Sequence, residues 1–214
     1  MRLKISSVMV LTTSSSNCPS AEEFEDVVRV CNKIDIPYYS VNFVKEYWNG
    51  VFESFLKEYE AGYTPNPDIL CNREIKFKVL LEKAMDYGAD FLATGHYVRG
   101  ALLKGKYHLL KGLDPLKDQS YFLWELTQDQ LSRSLFPLGE MLKSEVREVA
   151  RENNLYTAEK AESQEICFVP DGNYSGFIDR YLEHENREDE IPNKGEIVNQ
   201  DGKVLGEHTG IHRY

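Results

Sequence analysis

The sequence predicts an α/β fold in which a parallel sheet is covered by helices. Two observations carry that expectation. Through the first half, short β-branched and aromatic runs alternate with helix-length amphipathic stretches, in the order strand, helix, strand, helix, helix, strand. One of those strands ends in Gly95-His96, and ligands of open parallel sheets bind beyond the carboxyl ends of strands.

The elements follow in order. Lys4 to Leu11 reads as a buried strand, and a Ser/Thr-rich turn from Thr12 to Asn17 follows it. Ser20 with Glu23 three residues later is a capping-box pattern. Phe24, Val27, Val28 and Cys31 then fall at i, i+3, i+4 and i+7, which places Cys31 on the core face of a helix. Ile36-Pro37 ends that helix, and Tyr38 to Val44 reads as a strand. Lys45 to Glu60 is a helix with Trp48, Val51, Phe52, Phe55 and Leu56 on one side. After a Gly/Pro/Asn loop, a helix begins near Cys71 and stops at Gly88. Phe91 to Thr94 and Tyr107 to Leu110 read as strands, and Asp114 to Gln119 as a polar turn. Tyr121 to Leu131 and Ser144 to Asn153 are expected to be helical.

Composition shifts near Pro170. A short aromatic helix (Tyr174, Phe177, Ile178, Tyr181) leads into an acidic linker. A hairpin turning at Asp201-Gly202 follows. The expected domains are residues 1–170, the α/β domain, and 171–214, a second domain that ends at Tyr214 without a closing element.

With 214 residues, 42% of them hydrophobic, the chain can bury one fair-sized core plus a small appendage. No stretch reads as a membrane span, and the apolar run at Val8 to Leu11 is too short for a signal peptide. The expectation is a soluble cytoplasmic protein. A net charge of −10 argues against nucleic acid, but weakly, since RNA needs only a local basic surface. The four cysteines, Cys18, Cys31, Cys71 and Cys167, form no CxxC pair and no zinc-like spacing, so no metal site is expected.

Two cysteines have distinctive settings. Cys71 follows Asn66-Pro67-Asp68, where prolines stiffen the loop and Asp68 can cap the helix. A thiol at a helix N-terminus has a stabilised thiolate. Cys167 lies where a polar turn leads into an apolar stretch stopped by Pro170. From local pattern alone, each is either a reactive thiol or a small buried hydrophobe. Gly95-His96 is either a ligand-facing strand end or a structural pair. Lys117-Asp118-Gln119 is either a contact turn or a surface loop.

Several strings stand in one order. They are Thr64-Pro65-Asn66-Pro67-Asp68-Ile69-Leu70-Cys71-Asn72, Ile75-Lys76-Phe77-Lys78, Ala93-Thr94-Gly95-His96-Tyr97 and Gly112-Leu113-Asp114. Lys117-Asp118-Gln119-Ser120-Tyr121-Phe122-Leu123, Leu135-Phe136-Pro137-Leu138-Gly139 and Ser163-Gln164-Glu165-Ile166-Cys167-Phe168 follow. From about Cys18 to the end, this order resembles the tRNA-specific 2-thiouridylase family. The resemblance implies a PP-loop ATP pyrophosphatase domain of Rossmann-like, adenine nucleotide hydrolase-like type, followed by a small β-containing central domain.

It further implies ATP-dependent replacement of the C2 oxygen of the wobble uridine by sulfur. By resemblance, Cys167 carries the persulfide, and Cys71 is its partner, closing a disulfide when sulfur leaves. Asp68 stands at the acid/base position, and Asn66-Pro67-Asp68 at the segment touching the target base. Gly95 matches an ATP-contacting glycine and Lys117-Asp118-Gln119 a tRNA-contacting turn. The implied co-substrates are ATP with Mg2+ and a persulfide donor. The implied partners are tRNA and a sulfur carrier or cysteine desulfurase-type donor, with no membrane.

The family's opening Ser-Gly-Gly-Val-Asp-Ser-Ser loop, which cradles phosphates with backbone N–H groups, has no counterpart here. Thr12 to Ser16 is hydroxyl-rich but holds neither glycine nor acid. The C-terminal barrel also has no counterpart after Tyr214. The expectation is therefore a chain lacking both parts. It is either a thiouridylase, in truncated form or with its missing pieces supplied by a second chain, or a non-catalytic remnant that binds tRNA or a sulfur carrier. A cysteine-pair redox protein is a third reading.

Overall fold

The computed structural model describes residues 7–12, 20–161, 169, 172–187 and 194–213. Two parallel strand pairs and the helices around them make the α/β architecture expected from the alternation. β1 (Val8–Thr12) and α1 (Ser20–Ile34) lead to β2 (Tyr38–Asn42), which pairs in parallel with β1 from Val8 opposite Tyr38 to Thr12 opposite Asn42. Cys31 is 1% exposed on the predicted face of α1, and burial pushes its thiol pKa up. The helix stops where Asp35 turns to positive φ and the Ile36 N–H donates to the Cys31 carbonyl.

A second helical run comprises α2 (Val44–Tyr47), π turns over Trp48–Phe52 and α3 (Glu53–Glu60). A third comprises α4 (Pro67–Leu70), a π segment over Cys71–Val79 and α5 (Leu80–Asp86). It begins four residues before the expected start at Cys71. Proline fits a first helical position because the N–H it lacks has no partner there anyway. After β3 (Leu92–Ala93), β4 (Val98–Leu103) and β5 (Lys106–Lys111) form an antiparallel hairpin. Its two turn residues, Lys104 and Gly105, both have positive φ, as a tight hairpin turn requires.

The expected single helix over Tyr121 to Leu131 is two pieces, a 3-10 turn at Ser120–Leu123 and α6 (Gln128–Ser132). Thr127 and Gln130 form a capping box that restarts the chain as α6. β6 (Ser134–Leu135) then pairs in parallel with β3, and α7 (Lys143–Glu152) follows. α8 (Tyr174–Glu185) precedes the hairpin of β7 (Gly195–Val198) and β8 (Val204–His208), which carries a register shift at Ile197/Val198.

Two compact units result, Met1–Gly50 with Asp68–Ser163, and Val51–Pro67 with Gln164–Tyr214. In the first, Phe77, Val98, Leu123, Leu126 and Leu131 form a core cluster flanked by Tyr107, Leu109 and Phe136. In the second, Phe52, Phe55, Leu56, Ile178 and Leu182 cluster, with the Tyr181 ring edge-on to Phe52 at 5.1 Å. Among the described residues no helix is long and apolar enough to cross a membrane.

Candidate functional site

The helical run that starts at Pro67 positions Pro67, Asp68 and Cys71 among the described site residues. Asn66 immediately precedes it, and Pro67, its first residue, is buried. Asp68 lies in the first turn, not before it, so it favours the helix by its charge near the positive end. Cys71 stands one turn inside, 8% exposed, where the π segment begins. The helix-terminus argument for its thiolate therefore weakens, because that effect fades beyond the first turn.

The π segment explains which residues turn inward. Asn72 and Phe77 are buried five positions apart, as are Ile75 and Leu80, a spacing that suits i→i+5 bonding. Three contacts fix this stretch to the chain beyond the hairpin. The Asn72 side-chain amide donates to the Phe122 carbonyl at 3.1 Å. Arg73 pairs with Glu125, and the Gln130 amide donates to the Arg73 carbonyl at 3.2 Å. The Asn72 Oδ1 is buried without a hydrogen-bond partner.

Lys76 connects the helix to the end of β3. Protein packed around the Asp68 carboxyl raises its pKa, and the Lys76 charge pulls it down. The Asp68 side chain is exposed, so water limits the size of that rise. Burial, helped by the Lys76 charge, pushes the His96 pKa down to about 3. His96 is thus a neutral imidazole at pH 7, with Nδ1 2.9 Å from the Thr94 hydroxyl and its ring 5.6 Å from that of Phe77. Gly95 beside it is exposed, and an added Cβ would meet nothing closer than a Leu138 methyl at 3.8 Å. The protein's own packing does not call for glycine there. A ligand approaching the backbone would.

The Lys117-Asp118-Gln119 turn is held from within. Asp118 accepts from the Gly112 N–H at 3.0 Å, the Ser120 N–H at 3.3 Å and the Ser120 hydroxyl at 2.8 Å. Burial works against its charge, but these bonds prevail and hold its carboxyl below the ordinary range. Gln119 accepts from the Tyr97 N–H at 2.9 Å, and its own N–H donates to the Tyr97 carbonyl at 3.2 Å.

The structure thus brings Asp68, Lys76 and His96 into one electrostatic neighbourhood, with Cys71 on the same helical run as the first two. Gly95 lies next to His96. Cys167 and its motif from Ser163 to Phe168, like Cys18, lie outside the described residues. Sequence reading gave no role to Lys76 or Asn72. Five-residue spacing from Cys71 to Lys76 and from Asn72 to Phe77 was the available signal, and it is legible only once the helix is known to widen. Among the described residues no group of three metal-ligating side chains gathers.

Parallel strands with intervening helices, and a glycine open at a strand's carboxyl end, define a Rossmann-like α/β domain of the ligand-binding kind. A family model described as "tRNA methyl transferase HUP domain" matches residues 1–171, and the chain belongs to that family. It is 50% identical over 203 residues to the tRNA-specific 2-thiouridylase MnmA of Bacillus subtilis (strain 168), covering 95% of this chain and 53% of that protein. It is 49% identical over 203 residues to the protein of the same name from Exiguobacterium sibiricum, covering 95% and 52%. The chain therefore spans about half the length of these relatives.

Proposed function

We propose that this chain carries the sulfur-transfer part of a tRNA 2-thiouridylase and acts on C2 of a wobble uridine. The observation that supports it is one helical run presenting Asp68 and Cys71, whose Lys76 charge acts on both Asp68 and the strand-end His96. The relatives' names give the substrate class. We further propose the division into a catalytic domain over 1–170 and a central domain over 171–214, which the extent of the family match supports.

In this reading ATP, with Mg2+, supplies the adenylate that lets the uridine oxygen depart as AMP. Gly95 gives the nucleotide an unobstructed approach to the backbone. Asn66, Pro67 and Asp68 meet the target base, and Asp68 moves a proton during addition and loss of the leaving group. A donor of the sulfur-carrier or cysteine desulfurase type loads Cys167 as a persulfide. The outer sulfur attacks C2, and AMP leaves. The Cys71 thiolate then attacks the Cys167 sulfur, and the bond to the outer sulfur breaks. That sulfur stays on the base as the thiocarbonyl. The two cysteines end as a disulfide, which a dithiol reductant reopens. His96 stays neutral beside the site, so it adds no positive charge there.

The test is reconstitution. The chain, unmodified tRNA, Mg-ATP, a persulfide donor and a dithiol are combined, and 2-thiouridine is measured by mass spectrometry of digested tRNA. The expected result is ATP-dependent product, abolished by Cys167→Ser and Cys71→Ser and strongly reduced by Asp68→Asn. Cys71→Ser should still load persulfide on Cys167. Product that survives Cys167→Ser would sink the assignment. No product alongside an active relative would make the chain a binding module or a partner to a second chain.

A further inference from the structure

On the helical run that carries Asp68 and Cys71, the cations other than Lys76 are engaged. Arg73 pairs with Glu74 and Glu125, Lys78 pairs with Glu74, and Lys83 lies over the Tyr87 ring at 5.2 Å. Lys76 makes no ion pair, hydrogen bond or ring contact among the described residues, yet it is half-buried. A lysine can bury its stem and keep its head in bulk water. The Lys76 charge instead acts on both the Asp68 carboxyl and the His96 imidazole, so its head lies toward the end of β3. Asp68 feels that charge but forms no ion pair with it. A charge drawn partly out of water with no counter-ion is costly, and an anion brought by a ligand offsets that cost.

The end of β3 supplies the rest of an anion site. The Thr94 N–H donates to the Leu135 carbonyl at 3.0 Å, and the Tyr97 N–H donates to the Gln119 side chain at 2.9 Å. Between them, the N–H groups of Gly95 and His96 donate to no acceptor among the described residues. Gly95 is exposed, and an added Cβ would meet only a Leu138 methyl at 3.8 Å. Successive free N–H groups beyond a strand's carboxyl end suit a phosphate. They bring partial charge, and Lys76 brings the full positive charge that the neutral His96 does not.

We propose that Lys76 is a further catalytic residue, whose ammonium holds the α-phosphoryl group, first in ATP and then in the adenylated uridine. This role rests on the reading of ATP-activated thiolation. The uridine O2 attacks the α-phosphorus, an O–P bond forms, and pyrophosphate leaves with the electron pair of the bond that breaks. When the outer sulfur bonds to C2, the C2–O2 bond breaks and its electron pair departs with AMP. The phosphate thereby passes from one negative charge to two. A fixed cation beside it stabilises the charge as it develops. Lys76 supplies charge and transfers no proton, which leaves proton movement to Asp68.

Binding of AMP and of adenosine to the full chain is read by ligand-detected NMR. The expected result is saturable AMP binding, weakened about tenfold or more in Lys76→Met and largely kept in Lys76→Arg. Adenosine, which lacks the phosphate, should bind the native chain and Lys76→Met alike. Lys76→Met removes a charge that the chain itself does not neutralise, so the ligand-free melting temperature should not fall. A clear fall would make Lys76 structural and overturn the role. In the reconstitution, Lys76→Met should still load persulfide on Cys167 but form 2-thiouridine about 10- to 100-fold more slowly. Native-rate 2-thiouridine formation by Lys76→Met overturns the role and leaves the thiolation reading intact. AMP binding that depends on Lys76, in a chain that forms no 2-thiouridine, supports the phosphate contact and counts against the enzymatic reading. Equal AMP affinity with and without the lysine, or no AMP binding by the native chain, overturns the contact.

Discussion

His96 shows what burial does to a single side chain. Its pKa falls from 6.5 to about 3 because burial penalises the imidazolium and the Lys76 charge repels it. The folded value lies below the unfolded one. As pH drops through 6.5 the unfolded chain takes up the proton and the folded chain does not, so stability present above 6.5 is lost on the way down to about 3. The slope is at most about 1.4 kcal/mol per pH unit, which gives roughly 2 kcal/mol between about pH 7 and about pH 5. Urea unfolding of the native chain and of His96→Gln at those two pH values measures it. The variant is expected to lose that part of the pH dependence. An identical dependence in both would mean that His96 protonates freely in the folded state. The sequence showed only a histidine after a strand, since the depressed value depends on Lys76, twenty positions earlier, and on packing against Phe77.

At the scale of elements, two glycines from the motif strings answer to different causes. A Cβ on Gly139 would stand 1.8 Å from the Val98 carbonyl oxygen, at the point where the Leu113 N–H donates to the Gly139 carbonyl at 2.8 Å. Backbone must move to admit it, so Gly139→Ala is expected to destabilise the chain by more than about 3 kcal/mol. Gly95→Ala meets only a methyl at 3.8 Å. It should leave the melting temperature nearly unchanged and, on the proposed function, weaken ATP binding. Thermal melts with and without ATP separate the two, and a large loss of stability in Gly95→Ala would make that glycine structural. This contrast also marks what was legible beforehand. The core face of α1 followed from spacing, and Cys31 is buried where that spacing put it. The strand Val98–Leu103 escaped notice because Arg99 and Gly100 interrupt its pattern and its partner supplies the pairing. The internal role of Asp118 and Gln119 was equally hidden, because their acceptors find N–H groups 6 and 22 positions away in sequence. The start of the Cys71 helix was misplaced because Asp68 reads equally well as a cap or as a first-turn acid.

For the whole molecule, the proposed function raises the question of how a chain of net charge −10 would hold a polyanion. Charges farther away than about 8 Å are largely screened at physiological ionic strength, so the acid-free hairpin of β4 and β5 can act locally while the acidic remainder repels only weakly. Counterion release then ties the salt dependence to the number of phosphates neutralised, with a slope of about −0.7 per contact for single strands. Arg99, Lys104, Lys106 and Lys111 are the hairpin cations. Four contacts set a limit of about −3 for the slope of log affinity against log salt. Added salt also screens the repulsion from the acidic surface, which flattens the slope further. Anisotropy titrations of tRNA across a range of KCl concentrations measure it. Reversing Lys104 and Lys106 to Glu should weaken binding at low salt far more than at high salt. A slope steeper than about −5 would place the main phosphate contacts on a surface other than this hairpin.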